Sequence, residues 1–205
     1  MSRPGRRLKI VFSGYGGQGV LTASQILGRA ATFEGHEVTA GQLHGMSQRG
    51  GSVESTVLIG PGKSAFVGVK EADVVVGFEP LETLRSAPKM NARTLVLMNI
   101  DRSMPSVLAR AGKPYPDLDG IVDQIRATAG SVVLVNGPEI TRAAGAGRTL
   151  NVAMLGALAG ADVLPFSGEA LFRAVAWRCP ERFLSANRLA FDLGMKVTCI
   201  SKRPE

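Results

Sequence analysis

Apolar runs rich in branched residues recur along the first two thirds of the chain, at residues 9–13, 37–41, 53–59, 73–77, 94–99 and 132–136. Helical stretches separate them, which is the pattern of a parallel sheet covered on both faces. Most of the runs end in Gly, Ser or Asn, residues that open loops at the carboxyl ends of strands. Between the first two, Val20, Leu21, Ile26, Leu27, Ala30 and Ala31 approximate an i, i+3, i+4 stripe and predict a packed helix over 18–33. The stretch 52–68 reads differently: Val53, Ser55, Val57 and Ile59 alternate with polar or neutral positions, and Gly60-Pro61-Gly62-Lys63 signals a turn into a return strand over 64–67. That hairpin would add an antiparallel member. The predicted fold is α/β, a Rossmann-like three-layer α/β/α arrangement with a mostly parallel, mixed sheet and a helical C-terminal part.

After the last strand, helices are predicted over 138–144, 149–161, 168–177 and 181–193, wrapping the sheet. Residues 101–118, with Pro105, Pro114 and Pro116, read as an extended loop. There is no internal repeat or low-complexity linker, and 205 residues are enough for one sizeable core but few for two. A single domain over 1–205 is expected.

Composition narrows the function classes. The chain is 45% hydrophobic, yet its longest apolar candidate, residues 150–164, is broken by Asn151 and Asp162 and falls short of the roughly 18 residues that cross a bilayer. Arg3, Arg6 and Arg7 lead directly into the first strand without an apolar leader core. A soluble, cytoplasmic protein without a membrane partner is the expectation. The formal net charge of +7 is spread along the chain, aromatics are few, and no nucleic-acid-binding signature is present. A solvated basic surface facing an acidic partner or a polyphosphate fits better than nucleic acid. Cys179 and Cys199 read as free thiols in a reducing compartment, with a disulfide between them as the alternative, and two cysteines do not hold an iron–sulfur cluster. The two histidines, His36 and His44, have neither metal-ligand spacing nor an evident orienting carboxylate.

The first strand runs into Ser13-Gly14-Tyr15-Gly16-Gly17-Gln18-Gly19-Val20, where Gly14, Gly16 and Gly19 satisfy the G-x-G-x-x-G spacing at the start of a helix. A tight strand-to-helix turn without ligand satisfies the same pattern, as does an anion site on exposed amides. A nicotinamide dinucleotide is disfavoured, because the end of the second strand reads Thr39-Ala40-Gly41-Gln42 without the acid that holds ribose, and Glu37 lies at the wrong end. The following loop, His44-Gly45-Met46-Ser47-Gln48-Arg49-Gly50-Gly51-Ser52-Val53, combines a titratable imidazole, a guanidinium fork and glycines that let a backbone approach closely. A ligand site and a locked loop or subunit interface both account for it.

Together, Gly14-Tyr15-Gly16-Gly17-Gln18-Gly19-Val20 and His44-Gly45-Met46-Ser47-Gln48-Arg49-Gly50-Gly51 resemble the gamma-type domain of pyruvate and other 2-oxoacid:ferredoxin oxidoreductases, and the second motif is similar to the beta subunit of the indolepyruvate type. Asn151-Val152-Ala153-Met154-Leu155-Gly156 and Glu79-Pro80 extend the resemblance over almost the whole chain. It implies a small subunit of a complex that oxidatively decarboxylates an aryl 2-oxoacid to its acyl-CoA, with ferredoxin as acceptor. Thiamine diphosphate and iron–sulfur clusters would then sit on a large partner subunit, with no cofactor held tightly by this chain and coenzyme A as its possible contact. Matching motif positions makes Gly14, Gly16, Gly17, Gln18, Gly19, His44, Gln48, Arg49, Gly50 and Asn151 the candidate interface or binding residues. Asn151 is equally a helix cap, Glu79 equally a helix start, and Trp177, Phe183 and Phe191 read as core or subunit contacts. A freestanding nucleotide-binding protein and a purely structural module remain as alternatives.

Overall fold

The computed structural model describes residues 7–44, 51–104, 109, 112–145 and 148–200. Six strands form one sheet: β1 (Leu8–Tyr15), β2 (Val38–His44), β3 (Ser52–Ile59), β4 (Val74–Gly77), β5 (Leu95–Asn99) and β6 (Ser131–Val135), in the order β2-β3-β1-β4-β5-β6. The sheet is mixed, since β3 runs antiparallel to both β1 and β2 while β1, β4, β5 and β6 are mutually parallel. The helices among the described residues are α1 (Val20–Phe33), α2 (Pro80–Arg85), α3 (Leu118–Arg126), α4 (Gly137–Ala143), α5 (Leu150–Gly160), α6 (Gly168–Arg178) and α7 (Leu184–Ile200).

Strand alternation divides the core into two layers. Ile10, Phe12, Val57, Val76 and Leu97 face one side, under α1, α4, α5, α6 and α7, while Val11, Leu58, Val75, Val96 and Met98 face the other, under α2 and α3. The C-terminal helices therefore stack with α1 on one face instead of wrapping the sheet. The helix α5 is apolar on almost all sides, with Val152 through Leu158 all buried, and crosses α7 at close range. There a Cβ on Gly156 would collide with the Phe191 backbone, and one on Gly194 with the Ala153 carbonyl.

Two expectations are corrected. Residues 64–67 form no return strand: they cross the second face of the sheet, where Thr56 Oγ1 donates to the Ala65 carbonyl at 2.7 Å and Val67 is buried against Leu58 and Val11. The hairpin partner of β3 is β2, the strand before it, so the long-range ladder wins over the local Gly-Pro-Gly turn signal. The predicted loop over 101–118 ends where Asp117 caps α3 through the Gly120 amide, and Tyr115 within it turns inward. The last predicted helix begins as a 3-10 turn, Glu181–Phe183, and continues as α7 to Ile200. Phe191 is core at 1% exposure, whereas Trp177 and Phe183 lie on the surface. Cys179 and Cys199 are both free thiols.

Candidate functional site

The carboxyl ends of β1 and β2 lie at the same end of the sheet, where the glycine loop and the two terminal residues of the second motif, His44 and Gly51, come together. Gly14 and Tyr15 end β1, paired with Val53 and Ser52, and β2 ends at His44 opposite Val53. Gly51, the last residue of the second motif, accepts the Gly16 amide at 3.0 Å. Gln48, Arg49 and Gly50 lie outside the described residues, as does the His44 side chain.

Much of the glycine loop is held by its own contacts. The Gln18 side chain bridges the crevice between β1 and β4: its Oε1 accepts the Tyr15 amide at 2.7 Å and its Nε2 donates to the Phe78 carbonyl at 3.4 Å. The Gln18 amide donates to the Tyr15 carbonyl at 3.2 Å. Gly14 leaves the room this plug needs, because a Cβ there would lie 2.7 Å from Gln18 Oε1 and 2.8 Å from Phe78 Cβ. The amides of Tyr15, Gly16 and Gln18 are thus used internally, and the loop's remaining donors are those around Gly17, Gly19 and the first turn of α1.

Gly17 and Gly19 take positive φ angles of 104° and 84°, which glycine adopts without a Cβ penalty. The turn at Gly19 carries the loop onto Asn151, whose Cβ lies 3.0 Å from where a Gly19 Cβ would stand. Two motif residues 132 positions apart in sequence (151 less 19) therefore meet. Asn151 does not cap α5; that position is Thr149.

Asn151 opens onto a cavity of about 510 Å³ lined by Thr22, Arg148, Thr149, Val152, Arg178, Cys179, Phe183 and Asn187, among others. The helix starts around it differ from those of α2, α3, α4 and α6. The helices α2, α3, α4 and α6 each begin with a side-chain cap (Glu79, Asp117, Asn136, Ser167) and an acid in the first turn (Glu82, Asp119, Glu139, Glu169). By contrast, α1 and α5 begin without a capping side-chain hydrogen bond and without a first-turn acid. Both first turns line this cavity, so two positive dipole ends converge beside the Arg148 and Arg178 guanidiniums. The site suits a polyanion with an apolar portion, the latter against Val152, Val175 and Phe183.

Behind the glycine loop lies a buried polar cluster on the other face of the sheet. Glu79, fully buried, caps α2 by accepting the Glu82 amide at 3.0 Å, accepts the Ser103 amide at 3.3 Å, and receives the Tyr115 hydroxyl. Burial raises its carboxyl above the ordinary range, opposed by the Tyr115 hydrogen bond and the two amides. Glu82, also buried, accepts the Ser52 hydroxyl, and its other oxygen lies 3.4 Å from Arg85 Nε. Tyr15 and Tyr115 are both pushed well above their ordinary values, first by burial and then by the neighbouring carboxylates, so both hydroxyls stay protonated. The cluster fixes the β4–α2 turn and anchors Ser52, the first residue after the second motif. Sequence reading singled out Glu79-Pro80 and included Ser52 in the loop after β2 but missed Glu82 and Tyr115, and of the cavity lining it proposed only Asn151 as a binding residue.

In dinucleotide folds β2 lies beside β1, and its carboxyl end supplies the ribose acid. Here antiparallel β3 occupies that place, which adds a geometric argument against a nicotinamide dinucleotide to the missing acid.

The family model for pyruvate ferredoxin/flavodoxin oxidoreductase matches residues 9–197. The chain belongs to this family. It is 39% identical over 185 residues to the indolepyruvate oxidoreductase subunit IorB of Methanothermobacter thermautotrophicus, covering 90% of this chain and 94% of that protein. It is 38% identical over 198 residues to the IorB subunit of Archaeoglobus fulgidus, covering 97% and 98%. Among solved structures, the gamma subunit of keto/oxoacid ferredoxin oxidoreductase from Geobacter sulfurreducens shares the fold with a TM-score of 0.69 at 24% identity, over 94% of this chain and 99% of that one. The 2-oxoglutarate:ferredoxin oxidoreductase of Magnetococcus marinus shares it with a TM-score of 0.74 at 19% identity, over 98% of this chain but only 32% of that chain. The oxidoreductase fold found here is thus a whole subunit in some relatives and part of a longer chain in another. No helix among the described residues is long and apolar enough to cross a membrane.

Proposed function

We propose that this chain is the small subunit of an indolepyruvate-type 2-oxoacid:ferredoxin oxidoreductase, and that the cavity at the amino ends of α1 and α5 receives the anionic portion of coenzyme A. The observation that carries the first half is identity of 38–39% with named IorB subunits over nearly the full length of both proteins. Thiamine diphosphate and iron–sulfur clusters belong on the large partner subunit; they supply decarboxylation of the 2-oxoacid and electron transfer to ferredoxin. This chain's residues bind and orient. The first-turn amides of α1 and α5, with Arg148 and Arg178, neutralise phosphate charge, and the Asn151 side chain packs against the glycine turn at Gly19 beside the ligand. Phe183 and Val152 offer apolar surface to the remainder of the molecule.

The motif residues then divide by role. Gly14 and Gln18 build the plug between β1 and β4, Gly16 ties the loop to Gly51, and Gly17, Gly19 and Asn151 shape the approach to the cavity. For His44, Gln48, Arg49 and Gly50 the proposed role is a contact to the partner subunit or to the ligand, carried by the motif alone. The test is steady-state kinetics of the reconstituted two-subunit complex with Arg178→Ala and Asn151→Ala. A rise in KM for coenzyme A at unchanged KM for the 2-oxoacid supports the assignment, and unchanged coenzyme A saturation removes this cavity from the reading.

A further inference from the structure

Among the described residues, the β2 edge of the sheet has no further strand beside it. The Gly60 amide donates to the Glu37 carbonyl at 2.8 Å, and the ladder pairs Thr39 with Leu58 and Gly41 with Thr56. Antiparallel alternation therefore turns Glu37, Thr39 and Gly41 toward β3 and points the N–H and C=O groups of Val38 and Ala40 out of the sheet. The strand reads Val38-Thr39-Ala40-Gly41-Gln42-Leu43-His44, with none of the Lys, Glu or Pro guards that keep an edge from pairing.

Beside this edge stands a group of exposed anchors. Trp177, the one tryptophan of the chain, is 61% exposed and Phe33 53%, in an edge-to-face pair with ring centroids 6.3 Å apart. The Arg29 guanidinium stacks 4.0 Å from the Trp177 ring centroid and 5.8 Å from that of Phe33. Among the described residues no ion pair to a carboxylate is formed by Arg29. A groove of about 420 Å³ joins the anchors to Val38 and Ala40. Trp and Arg are the residue types that dominate binding energy at interfaces, and an open strand edge accepts an extended segment through main-chain hydrogen bonds.

We infer that the β2 edge and the Arg29–Phe33–Trp177 cluster form one docking surface for an extended, acid-bearing segment of the large partner subunit, which adds to the sheet as a strand beyond β2. The inference rests on the reading of this chain as a subunit of a complex. The edge specifies an extended occupant, Val38 and Ala40 specify small or apolar side chains against them, and Arg29, with Arg178 also in the groove lining, specifies a carboxylate. A second copy of this chain is the poorer occupant, because it would set a net charge of +7 against +7.

The test uses the full chain alone and in complex with the large subunit. Hydrogen exchange at the Ala40 amide should slow at least tenfold on complex formation. Ala40→Pro removes that outward N–H without touching the β3 ladder, and Arg29→Glu and Trp177→Ala remove the anchors. Each should weaken association tenfold or more while the isolated variant keeps its far-ultraviolet spectrum and melting temperature. If the wild-type chains associate but Ala40 exchange is unchanged and all three variants bind within twofold, the inference fails while the complex reading stands. If the wild-type chains do not associate, both fail together. A dimer of the isolated chain with a protected Ala40 amide overturns the assignment to the partner subunit.

Discussion

Gln18 sits in a motif whose spacing suggests a ligand, yet its side chain acts as a plug between β1 and β4, and Gln18→Ala separates the two roles. The substitution removes the acceptor of the Tyr15 amide at 2.7 Å and the weaker 3.4 Å donation to the Phe78 carbonyl. That carbonyl keeps the Asn99 Nδ2 donor at 2.9 Å, so the loss is dominated by Tyr15. Leaving one buried amide unsatisfied costs about 1–3 kcal/mol, with the lower end reached if water enters the opened crevice. Urea unfolding of the full chain should show this as a lower midpoint at unchanged slope. In the reconstituted complex, KM for coenzyme A should stay within twofold. A stability loss below about 0.5 kcal/mol, or a large rise in that KM without any loss of stability, would refute the plug and make Gln18 a ligand contact.

Other sites give independent tests. Gly194→Ala places a methyl against the Ala153 carbonyl carbon at 2.9 Å and the Ala157 amide at 3.1 Å, which should cost about 1–3 kcal/mol as α5 and α7 are forced apart, read by thermal unfolding. Glu79→Gln probes the buried carboxyl. Because burial raises Glu79 in the folded chain, its contribution is fully present below the ordinary carboxyl value of about 4.3 and is lost as pH rises through the folded value. The variant should therefore show a flatter fall of unfolding free energy above that pH than the wild type, and parallel curves would contradict the burial argument. Gly19→Ala should destabilise by about 1–2 kcal/mol from its φ of 84° and, by pressing on Asn151 at 3.0 Å, should also raise KM for coenzyme A in the complex.

The strands were legible because buried parallel strands are nearly continuous apolar runs, and each observed strand lies within three residues of its predicted limits. The partner of β3 was not, because pairing is decided by long-range contacts while Gly60-Pro61-Gly62 speaks only for the local turn. The helix α2 was half visible: Glu79 as cap followed by Pro80 at the first position is a start signal, but six residues offer too short a stripe to read. For α3 the signal was present in Asp117 followed by Ile121, Val122 and Ile125, and the prolines before it masked it. At the site, spacing located Gly14, Gly16 and Gly19 but said nothing of which amides the chain would satisfy itself, since that depends on where Gln18 and Gly51 fall in three dimensions. The anion-favouring cavity did leave a trace in sequence, because α1 and α5 lack the acids and capping residues that open α2, α3, α4 and α6. Its significance emerges only when the two helix starts are seen to share one cavity.

The central claim, a small subunit of a 2-oxoacid oxidoreductase, is tested most directly by affinity purification of this chain from its native cells, followed by assay of the eluate for coenzyme A-dependent reduction of a dye or ferredoxin by aryl 2-oxoacids. A larger subunit containing thiamine diphosphate and iron should co-purify, with activity requiring both the 2-oxoacid and coenzyme A. Recovery of this chain alone, colourless and inactive under those conditions, would contradict it.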